Sequence, residues 1–140
     1  MTDQAEKDRC ALVLGGLLGS PYDVRGVRGF HCWSFAKHMQ KVLWGRDLMD
    51  IPIESGHIRD LVRLVRDHPA HHEWRVVERP VHGGLVEMSH SKHPHHIGVW
   101  LDLDGGGIAH CEAPAGVSFD PLVALKAAGW RRFIFHEWCG

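Results

Sequence analysis

Hydrophobic and polar positions follow two different periods in the two halves of the chain. In the first half, residues 3–18 combine a broad apolar side with polar first turns, which predicts an α-helix that ends at Gly-Ser-Pro-Tyr, residues 19–22. A second helix is predicted over 32–45, and a third at about 57–67 with Ser55 as its N-cap. The apolar side of the first helix comprises Ala5, Cys10, Leu12, Val13, Leu14, Leu17 and Leu18. That of the second comprises Trp33, Ala36, Met39, Gln40 and Leu43.

The second half of the chain alternates short apolar runs with turn residues, which is typical of strands. Asp104-Gly105-Gly106 is a hairpin signal between two of these runs. Asp120 and Pro121 are predicted as the N-cap and first position of a short helix to Ala128. Because helices come first and strands follow, the predicted class is α+β with an antiparallel sheet. The predicted strands cover 74–77, 85–88, 97–103, 107–111, 117–119 and 131–136.

Composition restricts the classes of function. A chain of 140 residues with 44% hydrophobic content suits one domain, residues 1–140. A net charge of −1 without basic runs argues against a nucleic-acid or anionic-membrane partner. Apolar windows are too short for a membrane span, and the acidic N-terminus lacks the core of a signal peptide, so we expect synthesis in the cytoplasm. The four cysteines form no CxxC pair and are expected to be free thiols.

Three residues suggest the chemistry. Cys32 stands where a glycine-rich loop turns into a helix, His96 starts a strand and His110 ends the next one. Antiparallel pairing would bring the two histidines close together. A thiolate nucleophile, an imidazole base and a third polar group that orients the base are the parts of a cysteine hydrolase, and their order here is papain-like.

The start of the Cys32 helix is expected to favour the thiolate through the helix dipole. Residues 29–31 include none of the usual capping residues, so we also expect open N–H groups there for a substrate oxyanion. The alternative for any cysteine in an apolar setting is a small buried hydrophobe, and this is the expectation for Cys10, Cys111 and Cys139.

The chain contains five short motifs, which are LGSPY at 18–22, GFHCWSF at 29–35, GGLVEM at 83–88, HIGVWL at 96–101 and GIAH at 107–110. Together they resemble the NlpC-type cell-wall cysteine peptidases, over about residues 14–135. The Cys-Trp pair at 32–33 and the absence of a signal segment are similar to the branch of that family found among tail genes of phages and gene-transfer agents. Two departures are His31 and Gly84, where the family commonly has Asp.

The resemblance implies roles for particular residues. Cys32 would be the nucleophile, His96 the general base and His110 the residue that orients the base, with Tyr22 lining the site near the oxyanion. It implies a papain-like α+β fold, in which the Cys helix packs on an antiparallel sheet, and peptidoglycan stem peptides as substrate. It implies no metal and no organic cofactor. Proteins of a phage or gene-transfer-agent tail tip or baseplate would be partners, and the virion tail tip the location.

The 13 histidines suggest further alternatives. Two clusters, at 68–72 and 90–96, are either a metal site, decoration of exposed loops, or a cleft rim with pH-dependent binding. No Cys₂His₂ or HExxH spacing supports the metal. Besides the peptidase, the sequence leaves open an inactive structural tail protein with the same fold and a His-rich metal-binding module. The stretch 68–74, expected to be exposed, is a candidate contact with tail proteins.

Overall fold

The computed structural model describes residues 2–48, 73–90 and 96–140. The helix predicted at 57–67, its Ser55 cap and the histidines at 68–72, 93 and 95 lie outside the described residues. Within the described ranges, no helix has the length and apolar character that crossing a bilayer requires. The elements in chain order are α1 (Gln4–Leu17), α2 (Cys32–Trp44), β1 (Trp74–Val77), β2 (Leu85–Ser89), β3 (His96–Leu101), β4 (Gly107–Glu112), β5 (Gly116–Asp120), α3 (Leu122–Ala127) and β6 (Arg132–Trp138).

The strands form one antiparallel sheet in the order β1-β6-β2-β3-β4-β5. Only short turns join β3 to β4 and β4 to β5, so these three strands are a meander. The first of these turns contains Gly105 and Gly106, both at positive φ, at the predicted hairpin signal. Helices packed on an antiparallel sheet confirm the predicted α+β class.

The sheet buries both of its faces, because successive side chains of a strand point to opposite sides. One face packs under α1 and α2 through residues that include Ile97, Val99 and Ala109. The other face, with Trp100 and Ile108, packs against α3 and the segment that follows it. All six residues of β3 are therefore buried, and β3 connects the two halves of the core.

The second helix confirms the predicted apolar face, and its ends explain its length. Its buried residues include the whole predicted set, and Gly45 ends it in the left-handed conformation, at φ 66°. The first helix contributes less to the core. Only Cys10 and Leu14 of α1 are buried. The placement of Ala5, Leu12 and Leu18 on the apolar side was wrong, since all three are exposed, Leu12 to 80%.

Two other predictions need correction. Asp120 ends β5, so it is not a helix cap, and Pro121 takes the N-cap position without a side-chain hydrogen bond. The reason is that the Asp120 carboxylate is bound to His110 and Ser118. Trp74 is not an exposed contact residue, because it is 7% exposed and its ring lies 5.2 Å from that of Trp138.

The loop before α2 is held by close backbone contacts. Phe30 N–H donates to the Pro21 carbonyl at 3.0 Å, and Gly19 N–H donates to that of Val117 at 3.0 Å. Only glycine fits at position 29, since a Cβ there would overlap the Pro21 oxygen. These contacts fix the approach of the chain to Cys32.

Replacing Gly29 with alanine is expected to destabilise the fold, because Pro21 must move and its hydrogen bond with Phe30 is then lost. We expect a loss of about 2 kcal/mol in the free energy of unfolding, measured by urea denaturation. Gly15→Ala is the matched control, since nothing lies within 4 Å of a Cβ there, and helix propensity predicts a gain of roughly 0.5–1 kcal/mol. Equal midpoints for the two variants would contradict this account of the loop.

Candidate active site

Cys32 is the first residue of α2, and its thiol is buried at the start of β3. The side chain is 2% exposed, and the backbone N–H of Ile97 lies close enough to its sulfur to favour negative charge there. Burial raises the pKa of the thiol to about 12, although the N–H groups of Ile97 and Trp33 act in the opposite direction. The expectation that the helix start favours the thiolate was therefore wrong for this closed arrangement, because desolvation outweighs the backbone donors.

The sequence suggested that the start of this helix has no side-chain cap, and the structure shows that this was wrong. His31 is the N-cap, and its Nδ1 accepts a hydrogen bond from Ser34 N–H at 3.1 Å. The Ser34 hydroxyl oxygen accepts from His31 N–H at 3.0 Å, which completes a reciprocal capping box. A neutral imidazole thus does the work that Ser, Thr, Asp or Asn usually does. The N–H groups of Cys32 and Trp33 lie ahead of this cap.

His96 and His110 meet, as their placement on neighbouring strands predicted. Nε2 of His96 lies 2.9 Å from Nδ1 of His110, and the rings are 80° apart in orientation. Both side chains are buried. The register explains the contact, because Val99 pairs with Ala109, which puts Gly98 opposite His110. Gly98 has no side chain, so the two imidazoles reach each other diagonally across it. A Cβ at Gly98 would lie 2.5 Å from a methyl of Ile108 and 3.1 Å from Cβ of His110.

Asp120 and Ser118 extend this pair, and sequence reasoning missed both. The Asp120 carboxylate lies 2.9 Å from Nε2 of His110 and accepts a hydrogen bond from the Ser118 hydroxyl at 3.0 Å. Ser118 is paired with His110 across the β4–β5 ladder, and Asp120 is two residues further along the same face. Alternation along β5 was the signal that could have found them.

The His96 ring also belongs to a stack of aromatic rings. Trp130, which is 4% exposed, lies with its ring 5.2 Å from that of His96 and 24° from parallel. His90 also stacks on this indole, with its ring centroid 3.9 Å away. His90 is one of the histidines that were expected to rim the cleft. Within the described residues, it is connected to His96 through the Trp130 ring.

Tyr22 lies in the same neighbourhood as the thiol. It is partly buried, packs against the core that contains Cys32, and pairs with Phe30. Burial raises the pKa of its phenol, and the nearby Cys32 and Cys111 raise it further as they gain negative charge. Cys111 itself is buried and donates its S–H to the carbonyl of Phe30 at 3.1 Å, which fits the expected packing role. The same expectation was wrong for Cys139, which is exposed in the short segment after β6.

A second cluster, away from these residues, has the composition of a metal site. Glu6, Cys10 and His82 bring their ligand atoms within 4.8 Å of one another, beside a cleft of about 590 Å³. Two observations argue against a cation there. Asp102 N–H donates to Nδ1 of His82, which leaves the ring proton on Nε2, the atom that faces the cluster. Arg9 occupies both oxygens of Glu6. The cluster is better explained as a set of polar contacts that links α1 to the turn before β2.

A search of the solved structures gives a match over nearly the whole chain. A structure described as the NlpC/p60 domain of the peptidoglycan hydrolase SagA superposes with a TM-score of 0.54 at 20% identity, covering 95% of this chain and 97% of that one. This chain has the NlpC/p60 fold. No family model matches the sequence, and no curated protein matches it. The NlpC/p60 likeness agrees with the papain-like architecture expected from the sequence. The roles of Cys32, His96, His110 and Tyr22 remain predictions.

Cys32 should resist alkylation in the native protein, because its thiol is buried and protonated. We expect iodoacetamide at pH 7.5 to modify exposed Cys139 at least ~10-fold faster, as followed by mass spectrometry. In denaturant the two thiols should react alike. Equal native rates would mean that solvent reaches the Cys32 sulfur freely.

The His31 cap should make stability depend on pH. Burial lowers the pKa of His31, and Asp23 opposes that shift. The folded state therefore binds fewer protons than the unfolded chain, so the stability from this residue is present above about pH 6.5 and is lost as the pH falls. His31→Asn keeps a capping oxygen that does not titrate. We expect wild type to lose stability relative to His31→Asn on going from about pH 7 to pH 5 in urea denaturation.

His31→Ala serves as the control for the cap itself. It should cost about 1 kcal/mol at pH 7.5, where the imidazole is neutral and bonded to Ser34. A difference between wild type and His31→Asn that stays constant with pH would contradict the assignment.

Proposed function

We propose that this protein is a cysteine peptidase that cleaves the stem peptides or cross-links of peptidoglycan. The observation that carries the proposal is the His96–His110 pair, with ring nitrogens 2.9 Å apart, on strands of which β3 also brings the Ile97 N–H near the Cys32 sulfur. The substrate class comes from the NlpC/p60 fold, since the similar SagA domain belongs to a peptidoglycan hydrolase.

The placement of Cys32 against β3 supports a reaction with His96. Trp100 N–H points to the β2 side of β3, where it donates to Gly84, so alternate N–H groups such as that of Ile97 point toward β4. The β3–β4 pairing covers Val99 to Leu101 among the described residues, and the Ile97 N–H beyond it lies near the Cys32 sulfur. Ile97 directly follows His96 in the chain, so the thiol lies beside the end of β3 that carries the proposed base.

In the proposed reaction, His96 takes the thiol proton as the Cys32 sulfur bonds to the substrate carbonyl carbon. The carbonyl oxygen becomes an oxyanion, for which Cys32 N–H and the Tyr22 hydroxyl are the proposed donors. The imidazolium of His96 then gives its proton to the leaving amine as the C–N bond breaks. Water attacks the remaining thioester with His96 again as base, which releases the acid and restores the thiol. Proton removal by His96 is needed because burial keeps the resting thiol neutral.

The finer proposal is that the peptidase belongs to a phage or gene-transfer-agent tail tip and acts during cell-wall penetration. Its support is the resemblance of the Cys-Trp segment at 32–33 to tail-encoded members of the family. Tail-tip or baseplate proteins would be the partners. Antibody labelling of purified particles tests it, and a protein found in lysate but missing from particles would exclude it.

One observation favours a second candidate, a structural tail protein with little or no activity. The Cys32 thiol is 2% exposed and its pKa is raised to about 12, which suits a packing role better than a nucleophile. Hydrolysis of purified sacculi distinguishes the two candidates, because the peptidase releases stem peptides and the structural protein releases few or none.

Cys32→Ala should abolish release of stem peptides from sacculi, with a fall in rate of roughly 10⁴-fold or more. Release is measured by chromatography and mass spectrometry of soluble fragments. Cys139→Ala is the matched control and should keep wild-type activity, because that cysteine is exposed near the C-terminus. Full activity in Cys32→Ala would overturn the peptidase proposal, whereas no activity in wild type would favour the structural candidate.

A further inference from the structure

A continuous set of hydrogen bonds runs from the proposed base to the end of β5. It passes from His96 Nε2 to His110 Nδ1 at 2.9 Å, and from His110 Nε2 to the Asp120 carboxylate at 2.9 Å. The Ser118 hydroxyl lies 3.0 Å from the same carboxylate oxygen and 3.3 Å from Nε2 of His110. The resemblance assigns roles to the two imidazoles and none to Asp120 or Ser118.

The acceptor character of the carboxylate determines where the protons lie. An ionised carboxylate only accepts hydrogen bonds, so His110 Nε2 must donate to Asp120. A neutral His110 then has an unprotonated Nδ1, which accepts from Nε2–H of His96. A neutral His96 that carries its proton on Nε2 has its lone pair on Nδ1. The proton pattern is thus set in one direction, from Asp120 through His110 to His96.

We propose that Asp120 is a positioning residue that fixes the tautomer of His110 and, through it, makes Nδ1 of His96 the basic atom. The inference rests on the proposed peptidase function for its catalytic consequence, whereas the tautomers themselves exist in the resting protein. Ser118 assists by donating to Asp120 Oδ2, which keeps that oxygen directed at His110.

The surroundings suit this role. The His110 side chain is 1% exposed, whereas that of Asp120 is 37% exposed. The carboxylate therefore keeps contact with solvent, which limits the cost of holding its charge, while the ring that it orients is shielded from water. A tautomer is best defined where water cannot supply alternative donors and acceptors.

Long-range ¹H–¹⁵N correlation spectra of histidine-labelled protein test the tautomers without reference to activity. Above the pH at which the rings titrate, wild type should show the Nε2–H form at both His96 and His110. Asp120→Asn should convert His110 into a mixture with the Nδ1–H form, because an amide both donates and accepts. Asp104→Asn, the same change in the exposed β3–β4 turn, should leave both rings as in wild type.

Hydrolysis of sacculi tests the catalytic consequence. Asp120→Asn should lower kcat by roughly 10-fold or more with little change in KM, an effect smaller than the ~10⁴-fold loss when the acid contacts the base directly. Asp120→Glu should restore part of the rate, and Ser118→Ala should give a smaller loss in the same direction. A smaller folded fraction would also lower the apparent kcat, but it would leave the His110 tautomer of the folded molecules as in wild type.

The outcomes separate this inference from the proposed function. An Nδ1–H form at His110 in wild type, or unchanged tautomers and kcat in folded Asp120→Asn, would overturn the role of Asp120. If Asp120→Asn fails to fold, the wild-type spectrum and Ser118→Ala decide by the same criteria. Wild-type protein with the expected tautomers but no hydrolysis would support the inference and remove the peptidase proposal.

Discussion

The contact between the start of α2 and the start of β3 is the constraint on which the rest of the site depends. The Cys32 sulfur lies near the Ile97 N–H, just before the stretch of β3 that pairs with β4. The His31–Ser34 capping box supports this approach, because it satisfies the N–H groups of His31 and Ser34 locally and leaves that of Cys32 near the sulfur. The preceding loop must also be narrow, which Gly29 allows.

Burial gives this contact two opposing effects. It orders the sulfur beside the imidazole-bearing strand, and it raises the pKa of the thiol to about 12. Burial is therefore the cause both of the ordered position of the sulfur and of the low reactivity of the resting thiol. A base whose own proton is held on the far ring nitrogen resolves the conflict, because it can accept the thiol proton when substrate is present. In the proposed mechanism, the hydrogen-bonded series that ends at Asp120 meets this requirement without placing a charge next to the sulfur.

How much could be predicted from the sequence depended on the range of the interactions. Helical and alternating periods identified the elements, and the turn at Asp104 to Gly106 brought His96 and His110 onto adjacent strands. Asp120 was misassigned because an Asp-Pro pair suits a helix cap, and only the register of β4 with β5 places its carboxylate at His110. The same limit applied to Cys32. Its pKa depends on burial against β3 and β4, which residues close to it in the sequence do not reveal.

His31, and not an acidic residue, precedes Cys32, which suits the electrostatics of the site. An aspartate at this position would add a negative charge at the helix start and would further oppose a Cys32 thiolate. A neutral histidine provides the capping acceptor without that charge. The acidic group of this site stands instead at Asp120, separated from the sulfur by two imidazoles, where it can act on proton positions. Protonation of His31 at low pH would then weaken the first turn of α2, which carries Cys32, because its capping hydrogen bond requires a neutral imidazole.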